Sequence, residues 1–366
     1  MINSTIFNTN KTDYDTVSLF LGEQSKGLFD TVNKQYPKIW GLYKKMKSLD
    51  WGEDEFDFSS CYVDFQTCSP DVYEMMIKTL AWQWEADSIA THSISPIVAP
   101  FVSSSELWAA WQRISDNETI HAATYSEIVR TSFNNPTEVL SEILAVSQSL
   151  QRLAGVGKIF AHAYEVAHKY ALGQVPNNQE TYNAIFMFTV GMLILERIQF
   201  MASFAVTFAI CETGKFQPIG KAVQKIAQDE LEVHVELDKE ILRNELKTER
   251  GKIAFEQCRA LIKLAFEEVV HSEKAWVDYL FSEGRQLLGL NAEILKQWTL
   301  FNARDVAIFL SIETDIEMPV NNPLKMMNNW LNISKTQPSP QEEANGQYKV
   351  GVIKRDDDGM SFDEDF

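Results

Sequence analysis

An all-α fold, a helical bundle extended by additional helices, is predicted by three features of this 366-residue sequence. Apolar residues recur at spacings of three and four from "VNKQYPKIWGLYKKM" onward, the signature of helices with a buried face. Turn-forming clusters ("TCSPD", "NNPTE", "GQVPNN", "GKFQPIGK") fall between the periodic stretches rather than inside them. No alternation of apolar and polar residues is long enough to build a sheet, and no internal repeat is visible.

Residues 1–30 are polar with a few apolar anchors and read as an N-terminal arm. The helical domain spans 31–335, with helical stretches at roughly 33–46, 70–96, 104–131, 136–171, 180–212, 217–246, 251–284 and 291–314. Pro70 and Pro136 stand where a first helical turn tolerates proline, so "SPD" and "NPTE" read as helix starts. Residues 336–366 change character: eight Asp or Glu against three Lys or Arg, with no periodic apolar face. That composition predicts a flexible acidic tail. Tyr348, Phe362 and Phe366 are aromatic islands that a purely solubilising tail does not need, and they suggest a docking peptide.

The most apolar stretch, "GMLILERIQFMASFAVTFAIC" (191–211), is long enough to cross a bilayer, which takes about 20 residues. Glu196, Arg197 and Gln199 sit near its middle, where a charge costs roughly 2.5–3.5 kcal/mol even on the mildest scale. The stretch therefore reads as a buried helix of a soluble protein, and no membrane association is expected. A buried Glu196 needs a partner. Arg197 lies about 100° round the helix from it and is not the natural one.

Composition narrows the function. The chain is 45% hydrophobic, with 9 Trp and 22 Phe, enough for a large core. A net charge of −18 argues against nucleic acid or an anionic membrane as partner. The N-terminus lacks the basic and apolar regions of a signal peptide. Cys61, Cys68, Cys211 and Cys258 form no Cys-x-x-Cys pair and suit structural roles in a reducing cytoplasm. "AGVGK" has the spacing of neither familiar phosphate-binding glycine loop.

The chemistry lies in acids and histidines placed on apolar helices. In "ETIHAATY", Glu118, His121 and Tyr125 fall at about 0°, 300° and 340°, one narrow stripe. In "QDELEVH", Glu230 and His234 lie about 40° apart. Asp87 and Glu196 are lone acids on other helices. Lone acids from two helices and Glu/His pairs from two more are the parts of a carboxylate-bridged dimetal site in a four-helix bundle. Carboxylate oxygens with one imidazole per metal suit iron or manganese. Spacing alone is not specific, since Glu165/His168 and Glu268/His271 repeat the Glu-x-x-His pattern. No acid completes a site around His92 or His162, so both are expected to be surface or satisfied histidines.

"DNETIHAATYSEIVR", "LERIQFMASFAVTFA", "KIAQDELEVH", "SEKAWVDYLFSEG" and "NGQYKVGVI" resemble the small, radical-generating subunit of class I ribonucleotide reductase, over about residues 30–366. The resemblance implies a ferritin-like fold, a homodimer, and a large subunit that reduces ribonucleotides with its own thiols. It implies two metal ions, iron first, with dimanganese or a mixed pair as alternatives. Asp87, Glu118 and His121 would hold one; Glu196, Glu230 and His234 the other, with Glu118 and a further acid bridging. Tyr125 matches the tyrosine oxidised to a stable radical, and Phe200, Phe204 and Ile226 its apolar pocket. Trp51 matches the tryptophan of the radical-transfer route, linked through Asp229 to His121, and Tyr348 the relay tyrosine of the docking tail. Two other readings share the metal site: a ferritin-like dimetal oxidase and an iron-binding protein without radical transfer. Neither needs the relay of Tyr125, Trp51 and Tyr348.

One departure is local. The family pattern is Asp-Glu-x-x-His, whereas three residues separate Glu230 from His234 here. Glu232 cannot substitute, lying about 200° from His234 on an ideal helix. A single π-turn absorbs one extra residue, so a helix irregularity is expected between about residues 226 and 236.

Overall fold

A computed structural model describes residues 18–22, 29 and 32–332 of the chain. Among these the architecture is all-α, and the only β pairing consists of two isolated bridges, Phe20 with Val102 and Leu287 with Leu290. The helices are α1 (Pro37–Ser48), α2 (Cys61–Thr67), α3 (Pro70–Val98), α4 (Ser105–Ser132), α5 (Pro136–Leu144), α6 (Ser147–Arg152) and α7 (Ala154–Ala171). They continue as α8 (Gln179–Ile194), α9 (Phe200–Cys211), α10 (Gln217–Asp229), α11 (Val235–Glu245), α12 (Glu249–Leu280), α13 (Ala292–Phe309) and α14 (Met327–Trp330). Two π-turns, Leu195–Gln199 and Glu230–His234, join α8 to α9 and α10 to α11.

Helix starts follow the chemistry of the sequence. Pro70 and Pro136 occupy first-turn positions, where the missing N–H is no loss. Ser69, Ser104, Asn178, Thr248 and Asn291 each accept a hydrogen bond from a backbone N–H of the first turn. The four helices around the site are α3, α4, α8–α9 and α10–α11. α3 packs along α4 and against α9, while α10 touches α4 and α9. All of α9 is buried, which an all-round apolar helix requires in water. The run Gln179–Cys211 is long and apolar enough to span a bilayer, but 94% of its most apolar window is buried inside this fold. It is a core helix.

Some boundaries differ from the sequence reading. The stretch 136–171 is three helices, not one, broken at Ala145–Val146 and at Leu153. The breaks turn α6 so that Arg152 points into the core. Helices α2 and α14 are too short to show a period in a sequence window. Of the N-terminal arm, residues 18–22 and 29 are described: Leu19, Phe20 and Leu21 are buried. The Leu21 N–H donates to the Phe101 carbonyl at 2.7 Å, and the Ser103 N–H to that of Leu19 at 2.8 Å. The expected tail, 336–366 with Tyr348, Phe362 and Phe366, lies outside the described residues.

Candidate metal centre

Six buried side chains converge between the four helices. α3 supplies Asp87, α4 supplies Glu118 and His121, and the two π-turns supply Glu196, Glu230 and His234. Ligand atoms of Asp87, Glu118, His121 and Glu230 all lie within 4.8 Å of one another, as do those of Glu118, Glu196, Glu230 and His234. Glu118 and Glu230 belong to both groups, so two adjacent cation positions would share two carboxylates.

Both imidazoles aim Nδ1 inward. His121 Nδ1 is 3.3 Å from Glu230 Oε1 and 3.7 Å from Glu118 Oε2. His234 Nδ1 is 3.2 Å from Glu230 Oε2, 3.4 Å from Glu118 Oε1 and 3.8 Å from Glu196 Oε2. The rings are 6.0 Å apart. Each Nε2 faces outward, that of His121 to Asp229 Oδ2 at 3.1 Å and that of His234 to the Asn117 amide at 3.4 Å.

The residues fit a pair of cations. Both carboxylate oxygens of Asp87 and of Glu118, one each of Glu196 and Glu230, and His121 Nδ1 are buried with no hydrogen-bond partner. Burying such groups unpaired is costly, and metal coordination is one of the few remedies. Four carboxylates would balance two divalent ions. Without them the charge is managed by protons. Burial, reinforced by the Glu118 charge, pushes the Asp87 carboxyl well above its usual range. Burial alone would lower the imidazoles, but Asp229, Glu118 and Glu230 hold His121 well above the usual histidine value. Glu230 and Glu118 do the same for His234. Metal uptake must therefore expel protons, and is expected to tighten as pH rises.

The extra residue in "DELEVH" is taken up where a helix irregularity was expected: Glu230–His234 is a π-turn. It keeps Glu230 and His234 on the cluster while Glu232 turns out to Lys45 at 2.7 Å. The π-turn at Leu195–Gln199 had no warning in spacing, because that helix carries a single acid with no second ligand to betray a change of phase. It lets Glu196 face inward while Arg197 turns to Asp305 (3.0 Å) and Asn302.

Tyr125, one turn beyond His121, is fully buried and its hydroxyl has no hydrogen-bond partner. Burial, then the charge of Asp87, pushes the phenol well above its usual value. Phe200, Phe204 and Ile226 are buried, with the two phenylalanine rings stacked at 5.8 Å. Trp51, after α1, donates its Nε1–H to Asp229 Oδ2 at 2.7 Å, the same oxygen that faces His121 Nε2. Its ring lies 5.9 Å from that of His121. A hydrogen-bonded line thus runs Trp51–Asp229–His121.

The other candidate pairs stay apart. Glu165, His168 and His271 are exposed, as are His92 and His162; Glu165 pairs with Lys169. Sequence reasoning missed Asn117 beside His234, and buried Asp238 four residues beyond it, whose carboxylate oxygens have no hydrogen-bond partner.

Comparison with known proteins gives concordant results. A family model described as "Ribonucleotide reductase, small chain" matches residues 28–314. The ribonucleoside-diphosphate reductase subunit beta of Buchnera aphidicola subsp. Baizongia pistaciae is 29% identical, over 98% of both chains. Among solved structures, the ribonucleotide reductase R2 subunit from Clostridium botulinum superposes with a TM-score of 0.75 at 18% identity, covering 91% of this chain and 99% of that one. Streptococcus sanguinis dimanganese(II)-NrdF gives 0.66 at 13% identity, covering 83% and 98%.

Proposed function

The chain belongs to the ribonucleotide reductase small-chain family, and from that premise we propose that its buried cluster holds two metal ions and uses them to store a one-electron oxidant on Tyr125. The observation that carries this reading is the overlap of two ligand groups at Glu118 and Glu230, with Tyr125 on the same helix stripe as Glu118 and His121. When bound and reduced, iron or manganese in such a site supplies electrons to dioxygen. The protein's part is to orient and to exclude. Asp87, Glu118 and His121 would hold one ion and Glu196, Glu230 and His234 the other, with Glu118 and Glu230 within reach of both. Tyr125 would supply one electron to the reduction of dioxygen and release its phenol proton towards the carboxylate cluster, whose charges act on the phenol. Phe200, Phe204 and Ile226 would keep the pocket dry, which protects a radical from side reactions. Iron is the first choice, dimanganese or a mixed pair the alternatives.

The oxidant would leave through His121, Asp229 and Trp51, then Tyr348 of the tail, to the large subunit that reduces ribonucleoside diphosphates. A homodimer in a reducing cytoplasm completes the reading. The test is to load the metal-free protein anaerobically, count the metals, admit oxygen and record an electron paramagnetic resonance spectrum. About two metals per chain and a tyrosyl signal are expected; protein that binds one or none refutes the dimetal assignment.

The tail carries its own expectation. Deleting residues 349–366 should leave metal loading and helicity unchanged and abolish association with the large subunit. Tyr348→Phe should keep association and remove turnover, because phenylalanine preserves shape without an oxidisable phenol. Undiminished binding by the truncated chain would move the docking site elsewhere.

A further inference from the structure

The two imidazoles have unequal outer partners. His121 has a carboxylate, Asp229, 3.1 Å from its Nε2. His234 has only the Asn117 amide, whose Nδ2 lies 3.4 Å from its Nε2. With Nδ1 given to a metal, a neutral imidazole carries its proton on Nε2 and needs an acceptor there. As oriented, Asn117 presents its nitrogen there, and its oxygen would serve only after a half-turn of the amide.

Asp238 stands one turn beyond His234 in α11, on the same face of the helix. It is only 1% exposed, and neither of its oxygens has a hydrogen-bond partner. The adjacent cation, Lys239, is engaged by Asp305 at 2.7 Å. A buried carboxyl without any partner is costly unless something it serves is added. The charges that bear on it are those of His234 and Glu230.

We propose that Asp238 is a positioning residue for the second metal: it accepts the Nε2–H of His234, directly or through one water, and fixes that ring for coordination through Nδ1. Asp238 would then do for His234 what Asp229 does for His121, completing two carboxylate–imidazole–metal arms around the cluster. Such outer carboxylates set the tautomer and raise the basicity of the ligand. The assignment rests on the dimetal reading above.

The test is titration of the metal-free full-length chain with Mn(II), following free ion by its paramagnetic resonance signal. The wild type should bind two ions. Asp238→Leu should weaken one of the two binding steps by about 10–100-fold and leave the other within about twofold. Asp238→Asn, which keeps an acceptor oxygen but no charge, should fall between the wild type and Leu. A merely structural carboxyl would change the melting temperature of the metal-free protein and leave both steps alone. Two wild-type steps in the Leu variant, or equal loss at both, would overturn the assignment. If the Leu variant does not fold, the Asn variant decides: loss at one step supports the role, and wild-type binding at both refutes it. A wild type that binds no pair of ions would instead sink the dimetal reading itself.

Discussion

Tyr125→Phe is expected to remove the tyrosyl resonance signal completely and to reduce nucleotide reduction to the background of the large subunit alone. The metal count should stay at the wild-type value, because the substitution leaves the carboxylates and imidazoles of both ligand groups in place. Stability should not suffer either. Phenylalanine keeps the ring in its fully buried place and loses only the hydroxyl. The variant thus separates oxidant storage from folding and from metal binding. A tyrosyl signal that survives would reassign the radical. Trp51→Phe should do the opposite: the signal persists while turnover is lost. It removes the Nε1–H that Asp229 accepts at 2.7 Å and leaves the cluster intact.

Much of this site is legible in the sequence because its logic is local. Glu118, His121 and Tyr125 declare a shared face by spacing alone, and the extra residue in "DELEVH", set against the family pattern, pointed to an irregularity where the π-turn at Glu230–His234 lies, a straight helix being the alternative. A lone acid in an apolar helix, Glu196, signals a missing partner without saying which. What escaped was nonlocal or phase-silent. The Trp51–Asp229 bond joins residues 178 positions apart, and only resemblance to a family pointed to it. The π-turn at Leu195–Gln199 left no mark, because one ligand cannot reveal a shift of phase. Asp238 reads as any acid on an amphipathic helix until its burial is seen. The breaks within 136–171 were hidden because each piece keeps a helical period on either side of them.

The same nonlocality governs the largest effect expected on stability, at Arg152. Its guanidinium is 1% exposed and makes a two-pronged pair with Glu273, 0% exposed, at 2.8 and 2.6 Å. It also donates to the Gln199 carbonyl at 2.6 Å, at the end of the π-turn that carries Glu196. Its central carbon lies over the rings of Trp82 and Trp276, 3.8 and 4.6 Å from their centroids. Arg152 therefore ties α6 to α12 and to the widened turn beside the metal cluster. Arg152→Ala would strand a buried carboxylate, which costs about 3–5 kcal/mol. For a chain of this length, with an unfolding entropy of roughly 2.1 cal/mol/K per residue, that lowers the melting temperature by about 4–7 °C. Removing both charges is a different change, since an apolar pair of similar volume is often neutral or stabilising. Arg152→Met with Glu273→Leu should thus recover most of the melting temperature. It should not recover the anchor on Gln199, so metal occupancy at the Glu196 position should remain below wild type in both variants. A double variant as unstable as the single one would mean that the contact with the two tryptophan rings, and not the charge pair, holds this part of the core.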